Sequence, residues 1–91
     1  MRSAKVIREA ELEFSNRVWY AGSAYLRDHR ADDGIAEDVT TVAKRRYFEQ
    51  LYGAETLGPL SEFQWGMICG KLSALRWVMG SDWDDIGRAS E

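Results

Sequence analysis

An all-α fold is the class that this 91-residue sequence predicts, and two observations support it. Apolar residues recur at spacings of three and four in three long segments, which is the periodicity of helices packed by one face. Helix start and stop signals bound the last of these segments, where Ser61 and Gln64 form a capping box and Gly80 can end the helix. We therefore predict one domain of three main helices and a short C-terminal helical turn, over residues 3–28, 35–52, 61–80 and 82–87, with the third helix central.

Helix 1 is predicted to follow Ser3, an N-cap candidate, and to run to about Asp28. Its apolar residues have the spacing of an antiparallel bundle: Ile7, Ala10, Phe14, Val18, Ala21 and Tyr25. Leu12, Trp19 and Leu26 repeat every seven residues beside that stripe, so the helix has more apolar surface than one neighbour would cover. Glu13 and Arg17, four residues apart on the more polar side of helix 1, are placed to form an ion pair.

Helix 2 follows a loop over residues 28–34 that contains three aspartates and His29. The loop lacks the ligand spacing of a calcium site, so we expect a solvated turn. Glu37 and Asp38 are predicted in the first turn of helix 2 and the basic residues 44–46 later, which is the order that the helix dipole favours. Gly53 is predicted to end helix 2, and residues 54–60 are predicted to form a short linker.

Helix 3 is predicted to be apolar on two faces. One face carries Trp65, Ile68, Leu72, Leu75 and Met79. The opposite face carries Phe63, Gly66, Met67, Gly70, Ala74, Trp77 and Val78. A helix that is apolar on two faces is covered on both, so the second face needs a layer from elsewhere in the chain or from another chain. An intramolecular helix crossing is the expectation that we favour, and a self-association surface or a ligand groove is the alternative.

Gly66, Gly70 and Ala74 recur every four residues and leave a smooth groove between the larger side chains of Phe63 and Trp77. These five residues are the predicted oligomer interface, because such a groove lets another backbone approach closely. We expect a homo-oligomer, most simply a two-fold dimer. Leucine at position 70 would then break the assembly through overpacking.

Composition excludes several classes of function. The formal net charge of −3 argues against a duplex-DNA binder. The single cysteine, Cys69, rules out a disulfide framework and a thiolate metal site, and we expect it to be a small core residue. A charged, periodic N-terminus and the absence of a spanning apolar run predict a cytoplasmic protein that does not bind membranes. No phosphate loop, metalloprotease motif or paired nucleophile and base is visible, so we predict no enzyme activity, no cofactor and no metal.

Residues 62–84 contain the pattern WGM, GKLSALRWV and WD, and it resembles the C-terminal part of short uncharacterised accessory proteins encoded by bacteriophages and prophages. The resemblance covers about a quarter of the chain and brings no functional residue with it. It implies a context, since small phage accessory proteins are often non-enzymatic inhibitors of host defence. Such proteins either sequester a nucleotide immune signal or block a defence enzyme, as anti-CRISPR proteins do.

Eleven aromatic residues are many for a chain this short, and several lie beside arginines. We therefore expect a cyclic nucleotide or an ADP-ribose-type ligand, with its base stacked on a tryptophan and its phosphates held by arginines. The predicted ligand-binding residues are Arg17, Trp19, Arg45, Arg46, Tyr47, Trp65, Arg76 and Trp77. The alternatives are a protein-binding inhibitor that presents exposed aromatics and the acidic residues 82–85, and a purely structural helical oligomer. A nucleotide site needs arginines that converge with aromatics, whereas an inhibitor needs an open apolar patch rimmed by acid.

Overall fold

A computed structural model of the chain describes residues 1–29 and 37–82. They form four helices: α1 (Ala4–His29), α2 (Val39–Tyr52), α3 (Ala54–Leu57) and α4 (Glu62–Val78). These residues contain no strand, and the predicted all-α class is confirmed. The predicted helical turn over residues 82–87 lies outside the described residues, apart from Asp82.

The start of α2 and the predicted linker differ from the prediction by more than two residues. Helix α2 begins at Val39 because Asp38 is its N-cap, and the Asp38 side chain accepts a hydrogen bond of 3.0 Å from the backbone N–H of Thr40. Glu37 and Asp38 therefore precede the first turn of α2, and their predicted place within that turn is wrong. The predicted linker contains the single turn α3, which starts after Gly53, a residue with a φ of 86°.

Both ends of α4 have the predicted capping geometry. At the N-terminus the Gln64 N–H donates to Ser61 Oγ at 3.1 Å, and the Ser61 N–H donates to Gln64 Oε1 at 2.9 Å. At the C-terminus Gly80 has a φ of 109°, which glycine adopts at little cost. Its N–H donates to the Trp77 carbonyl at 3.0 Å, and the Ser81 N–H donates to the Arg76 carbonyl at 2.9 Å. These two bonds are those of a Schellman motif, so α4 is well terminated at both ends.

Ser61→Ala is expected to lower the free energy of unfolding by about 1 kcal/mol, because it leaves an N-terminal N–H of α4 without its acceptor. Urea unfolding followed by circular dichroism measures this loss. Ser61→Asp restores an acceptor at the same position and should return the stability to near the wild-type value. Equal losses in both variants would show that the capping bond contributes nothing.

The centre of the fold is α1, because it packs against α2, α3 and α4, while α4 contacts no other described helix. The prediction that the third main helix is central is therefore wrong. The buried core lies between α1, α2 and α3 and consists of Tyr20, Phe48 and Leu57. On the other side of α1, Leu72 of α4 is 2 % exposed. The wide apolar surface predicted for α1 thus serves two neighbours on different sides.

Polar side chains also tie the helices together. The Tyr20 hydroxyl donates to Glu49 at 2.6 Å, and the Asn16 amide donates to the Tyr52 hydroxyl at 3.2 Å, so both bonds join α1 to α2. Burial, together with the bond to Glu49, raises the pKa of Tyr20 above its ordinary value. The phenol therefore stays protonated and remains a donor at neutral pH.

Candidate functional site

An exposed apolar surface lies on the side of α4 that faces away from α1. We call it the α4 outer face, and its members are Phe63, Gly66, Met67, Gly70, Ala74, Trp77 and Val78. All seven residues are exposed, and Phe63, Val78, Trp77 and Met67 are 75 %, 58 %, 50 % and 45 % exposed. The inner side of α4 packs on α1 through buried Leu72 and half-buried Ile68 and Leu75. No described helix covers the outer face, so the expected intramolecular crossing is not found in this part of the chain.

Two glycines of the outer face have no packing role within the described fold. A Cβ atom added at Gly66 or Gly70 would meet no atom within 4 Å beyond the local helix backbone. Glycine inside a helix costs about 1 kcal/mol relative to alanine. Close contact among the described residues therefore does not account for either glycine.

Acidic residues border the outer face at its two ends. Glu62 lies in the first turn of α4 and Asp82 follows its C-terminus, and both are exposed. Lys71 lies along one edge, but its Nζ lies 5.7 Å from the ring centre of Phe14 on α1. The outer face is thus an open apolar patch with acid at its ends, as the inhibitor hypothesis requires.

A cavity of about 730 Å³ lies where the end of α1 meets α3, residues 58–61 and the start of α4. Its walls are largely apolar and aromatic and include Tyr20, Tyr25, Leu57, Leu60 and Trp65. This volume lies in the range of small-molecule sites. Of the predicted ligand-binding residues, only Trp65 lines the cavity. Most of the other lining residues lie at helix ends or in the predicted linker, where the sequence has no pattern that indicates a pocket.

The polar side chains at this cavity largely interact with other groups of the chain. Arg27 Nε lies 3.0 Å from Asp28 Oδ1, so its charge is paired. The His29 ring stacks on Tyr25 with ring centres 3.8 Å apart, and its Nδ1 lies 2.8 Å from the Tyr25 carbonyl, which requires Nδ1–H as the donor. Glu62 adds a carboxylate to the lining. The cavity therefore offers aromatic surface without an excess of positive charge.

Arg45, a predicted phosphate ligand, is 4 % exposed and already paired. Its Nη1 donates to Ser23 Oγ at 2.7 Å and to Glu37 Oε2 at 2.8 Å, and its Nη2 donates to the other Glu37 oxygen. This fork-shaped pair is the geometry in which a guanidinium binds a carboxylate most strongly. Arg45 therefore connects α1, α2 and the residue before the α2 cap, and its donors do not face solvent.

Arg17 and Arg76 are also held by carboxylates of this chain. Arg17 lies 2.6 Å from Glu13, as the spacing of four predicts. Arg76 Nε donates to Glu11 at 3.1 Å, and its Nη2 donates to Ser15 at 3.4 Å. Arg17 Nε and Arg76 Nη1 have no hydrogen-bond partner among the described residues, but both atoms are buried and therefore out of reach of a phosphate in solution.

The other predicted ligand-binding residues lie at separate places. Trp19 packs edge-on against Phe48 with ring centres 5.7 Å apart, and Lys44 Nζ lies 4.2 Å from the centre of the Trp19 ring. Arg46 and Tyr47 are exposed on α2, while Trp65 lines the cavity and Trp77 belongs to the outer face. The structure thus distributes these residues over the contact between α1 and α2, the exposed side of α2, the cavity and the outer face. The cation–π contact of Lys44 is one that sequence reasoning missed, since it depends on the packing of α2 against α1.

The Arg45–Glu37 pair makes stability depend on pH. The hydrogen bonds from Arg45 lower the pKa of Glu37 below its ordinary value. The native carboxylate therefore binds a proton less readily than the unfolded one, so this contribution is present above the unfolded pKa and is lost as pH falls through the folded pKa. We expect Glu37→Gln to lose less stability than wild type between pH 6 and pH 3 in thermal unfolding. Glu55→Gln, at an exposed position on α3, is the control and should lose as much stability with falling pH as the wild type. If Glu37→Gln also loses as much as the wild type, the Arg45–Glu37 pair does not make stability depend on pH.

Residues 1–29 and 37–82 contain no group of three or more His, Cys, Asp or Glu side chains that could hold a metal ion. Burial raises the pKa of the Cys69 thiol, which favours the less reactive protonated form. In the same residues no helix is long and apolar enough to cross a membrane. Comparison with protein-family models, curated proteins and solved structures found no match.

Proposed function

We propose that this chain is a non-enzymatic protein-binding module and that the α4 outer face is its contact surface. The observation that carries the proposal is the exposure of Phe63, Met67, Trp77 and Val78 on one helix face. Aromatic and methionine side chains are enriched at the centres of protein interfaces. Contiguous exposed apolar patches with polar residues at their edges often mark sites of protein interaction.

Charge pairing favours protein contact over nucleotide sequestration. A nucleotide site needs guanidinium groups that are free to bind phosphate, and Arg17, Arg45 and Arg76 are paired with carboxylates of their own chain. Releasing one of them would break an ion pair before any phosphate is bound. No ion pair has to be broken for contact at Phe63, Met67 and Val78 of the α4 outer face, because these apolar side chains are already exposed.

The resemblance to phage accessory proteins supplies the setting for this proposal. In this setting the protein acts in the cytoplasm of an infected bacterium and counters host defence by binding a protein, as an anti-CRISPR inhibitor does. An open apolar patch with acidic ends suits a partner whose apolar site is surrounded by basic groups.

Sequestration of a small ligand is the second candidate function, and the cavity of about 730 Å³ is the observation that favours it. Its aromatic walls suit a planar ring, including a nucleobase, better than a phosphate. A thermal-shift screen with cyclic dinucleotides, cyclic oligonucleotides, ADP-ribose derivatives and the free bases tests this candidate. A ligand present at 100 times its Kd stabilises the fold by about 2.7 kcal/mol, which is a shift of several degrees for a domain of this size.

The proposed protein contact is tested by photo-crosslinking in cells that express the protein. A photo-reactive phenylalanine analogue replaces Phe63 in one variant and Gln50, an exposed residue of α2, in the control. We expect a discrete crosslinked protein species from position 63 and none from position 50. The crosslinked protein is then purified, and its binding to the wild-type chain should be lost with Phe63→Asp. No crosslink at position 63, or equal crosslinks at both positions, would overturn the proposal.

A further inference from the structure

We infer that the cavity at the end of α1 binds a flat aromatic molecule with one positive charge on a planar group, as in an aromatic amidine. The inference rests on the second candidate function and deepens it by naming the class of ligand. None of the described residues that line the cavity belongs to the α4 outer face, so this site is separate from the proposed protein contact. Three features lead to the inference: the space beside Gly22, the aromatic side chains of two walls, and the charges of the lining.

Helix α1 forms one wall of the cavity, and this wall has a gap. Gly22, Tyr25 and His29 follow spacings of three and four, so they lie on one side of α1, and all three line the cavity. The Tyr25 and His29 rings are stacked with their centres 3.8 Å apart. A Cβ atom added at Gly22 would meet no atom within 4 Å beyond the local helix backbone. The missing side chain therefore leaves space for a ligand beside the stacked rings.

The start of α4 forms a second wall. Glu62 and Trp65 both line the cavity, and their side chains are neighbours because they are three residues apart on one helix. Trp65 is 38 % exposed, so part of its ring is accessible, and Leu57, which is 2 % exposed, adds apolar surface from α3. Aromatic rings pack well in stacked or edge-on arrangements. A flat ring in the cavity can therefore contact Tyr25 on α1 and Trp65 on α4.

The charges of the lining favour a cation. Three side chains that are charged at neutral pH line the cavity: Arg27, Asp28 and Glu62. Arg27 Nε lies 3.0 Å from Asp28 Oδ1, so these two charges compensate each other. The Glu62 carboxylate is exposed and forms no ion pair with another described residue. A positive ligand would give Glu62 a partner, whereas a phosphate or a carboxylate would add a second negative charge beside it.

An aromatic amidine combines the properties that this surface selects. A cation is attracted to the faces of tyrosine and tryptophan rings, and Tyr25 and Trp65 supply such rings. The two N–H groups of an amidinium point in the same direction, so they can donate to both oxygens of Glu62, as a guanidinium does to a carboxylate. The cavity volume of about 730 Å³ is that of sites for small organic molecules. A ligand with two fused rings therefore fits.

Three probes of the same shape test the charge preference. The probes are 2-naphthamidine, 2-naphthamide and 2-naphthoate, which share the ring system and are positive, neutral and negative. They are titrated into the full chain at neutral pH, and the Kd is read from backbone and indole NMR signals. We expect the amidine to bind at least about tenfold more tightly than the amide, the naphthoate to bind most weakly, and the signals of Gly22 and Trp65 to shift. Equal affinities for amidine and amide, or no binding of the amidine up to about millimolar concentration, would overturn the inference.

Glu62→Gln tests the carboxylate. This variant should lose about tenfold in affinity for the amidine and keep the wild-type affinity for the amide, a difference that a merely structural role of Glu62 would not produce. The control is Glu9→Gln, which removes the same charge at an exposed position of α1 outside the cavity lining. Equal losses of amidine affinity in the two variants would show that net charge attracts the probe and that Glu62 is not its partner.

Gly22→Leu tests the location. A leucine side chain at position 22 should occupy the cavity and prevent binding of both the amidine and the amide. The variant should melt no lower than the wild type, because leucine is a better helix former than glycine and the added Cβ meets no atom. Ala43→Leu, at an exposed position of α2, is the control and should bind as the wild type does. Unchanged binding in Gly22→Leu would place the probe elsewhere and overturn the inference.

Failure of this inference is distinguishable from failure of the functions proposed above. If amidine and amide bind equally and Gly22→Leu blocks both, the cavity is a ligand site but the positive class is wrong. If no naphthalene probe binds but a nucleotide or a free base raises Tm, the second candidate function stands without this inference. The crosslink from Phe63 tests the protein contact independently, since Phe63 does not line the cavity.

Discussion

Replacing Leu72 by alanine is expected to lower the free energy of unfolding by about 3 kcal/mol. Leu72 is 2 % exposed and is the one buried residue of α4, and α4 reaches the rest of the described fold through α1 alone. The alanine variant therefore loses the transfer energy of the side chain and leaves a cavity where the two helices meet. A domain of this size has only about 5–15 kcal/mol of stability in total, so Tm should fall by more than about 10 °C.

Leu51→Ala is the matched control, because Leu51 is 55 % exposed on α2. The same chemical change there should alter stability by no more than about 0.5 kcal/mol. Both variants are unfolded with urea at one fixed protein concentration, since self-association would make stability depend on concentration. Similar losses in the two variants would mean that α4 is not anchored to α1 through Leu72.

Replacing Arg45 by alanine is expected to cost about 2 kcal/mol. Removing one partner of a fully buried ion pair costs about 3–5 kcal/mol, and the smaller figure applies here because the Glu37 side chain is 30 % exposed. The variant also leaves Ser23 Oγ without its donor. Arg45→Lys should recover only part of the loss, because an ammonium cannot make the paired contact of a guanidinium.

The neighbouring residue provides the control for this substitution. Arg46 is exposed on the same helix, so Arg46→Ala should change stability by no more than about 0.5 kcal/mol. Thermal and urea unfolding of the two alanine variants give the comparison. If Arg46→Ala is as damaging as Arg45→Ala, the loss comes from net charge or helix propensity and the buried pair contributes nothing specific.

Local signals in the sequence were enough to predict much of this fold. Three predicted features are present: the capping box at Ser61, the glycine after α4 and the Glu13–Arg17 pair. The capping box and the ion pair each join residues at most four positions apart, and the glycine needs only its own backbone conformation. The start of α2 was missed because an aspartate can serve either as a cap or as a first-turn residue. The centrality of α1 was missed because periodicity shows how wide an apolar surface is but not how many helices share it.

The candidate site, like the fold, could be predicted only in part from the sequence. The residues of the α4 outer face were predicted as one surface, because a helical wheel needs only the sequence of a single helix. Whether another helix covers that face is a tertiary property, and the favoured intramolecular crossing is not found among the described residues. Arg76 was assigned to a ligand because its partner Glu11 lies 65 residues earlier in the sequence, and Arg45 because its partners Ser23 and Glu37 are 22 and 8 residues away. Sequence proximity of arginines to aromatics was therefore a poor guide to their availability.

Hydroxyl-radical footprinting tests most directly whether the α4 outer face is a contact surface. The protein is labelled once as a dilute purified chain and once in the cells that express it, and modification is read at each residue by mass spectrometry. We expect Phe63 and Met67 to be strongly protected in cells, while the exposed controls Leu12 and Leu51 are modified equally in both samples. Modification of Phe63 and Met67 at the same level in both samples would show that nothing binds this face and that the α4 outer face is not a contact surface.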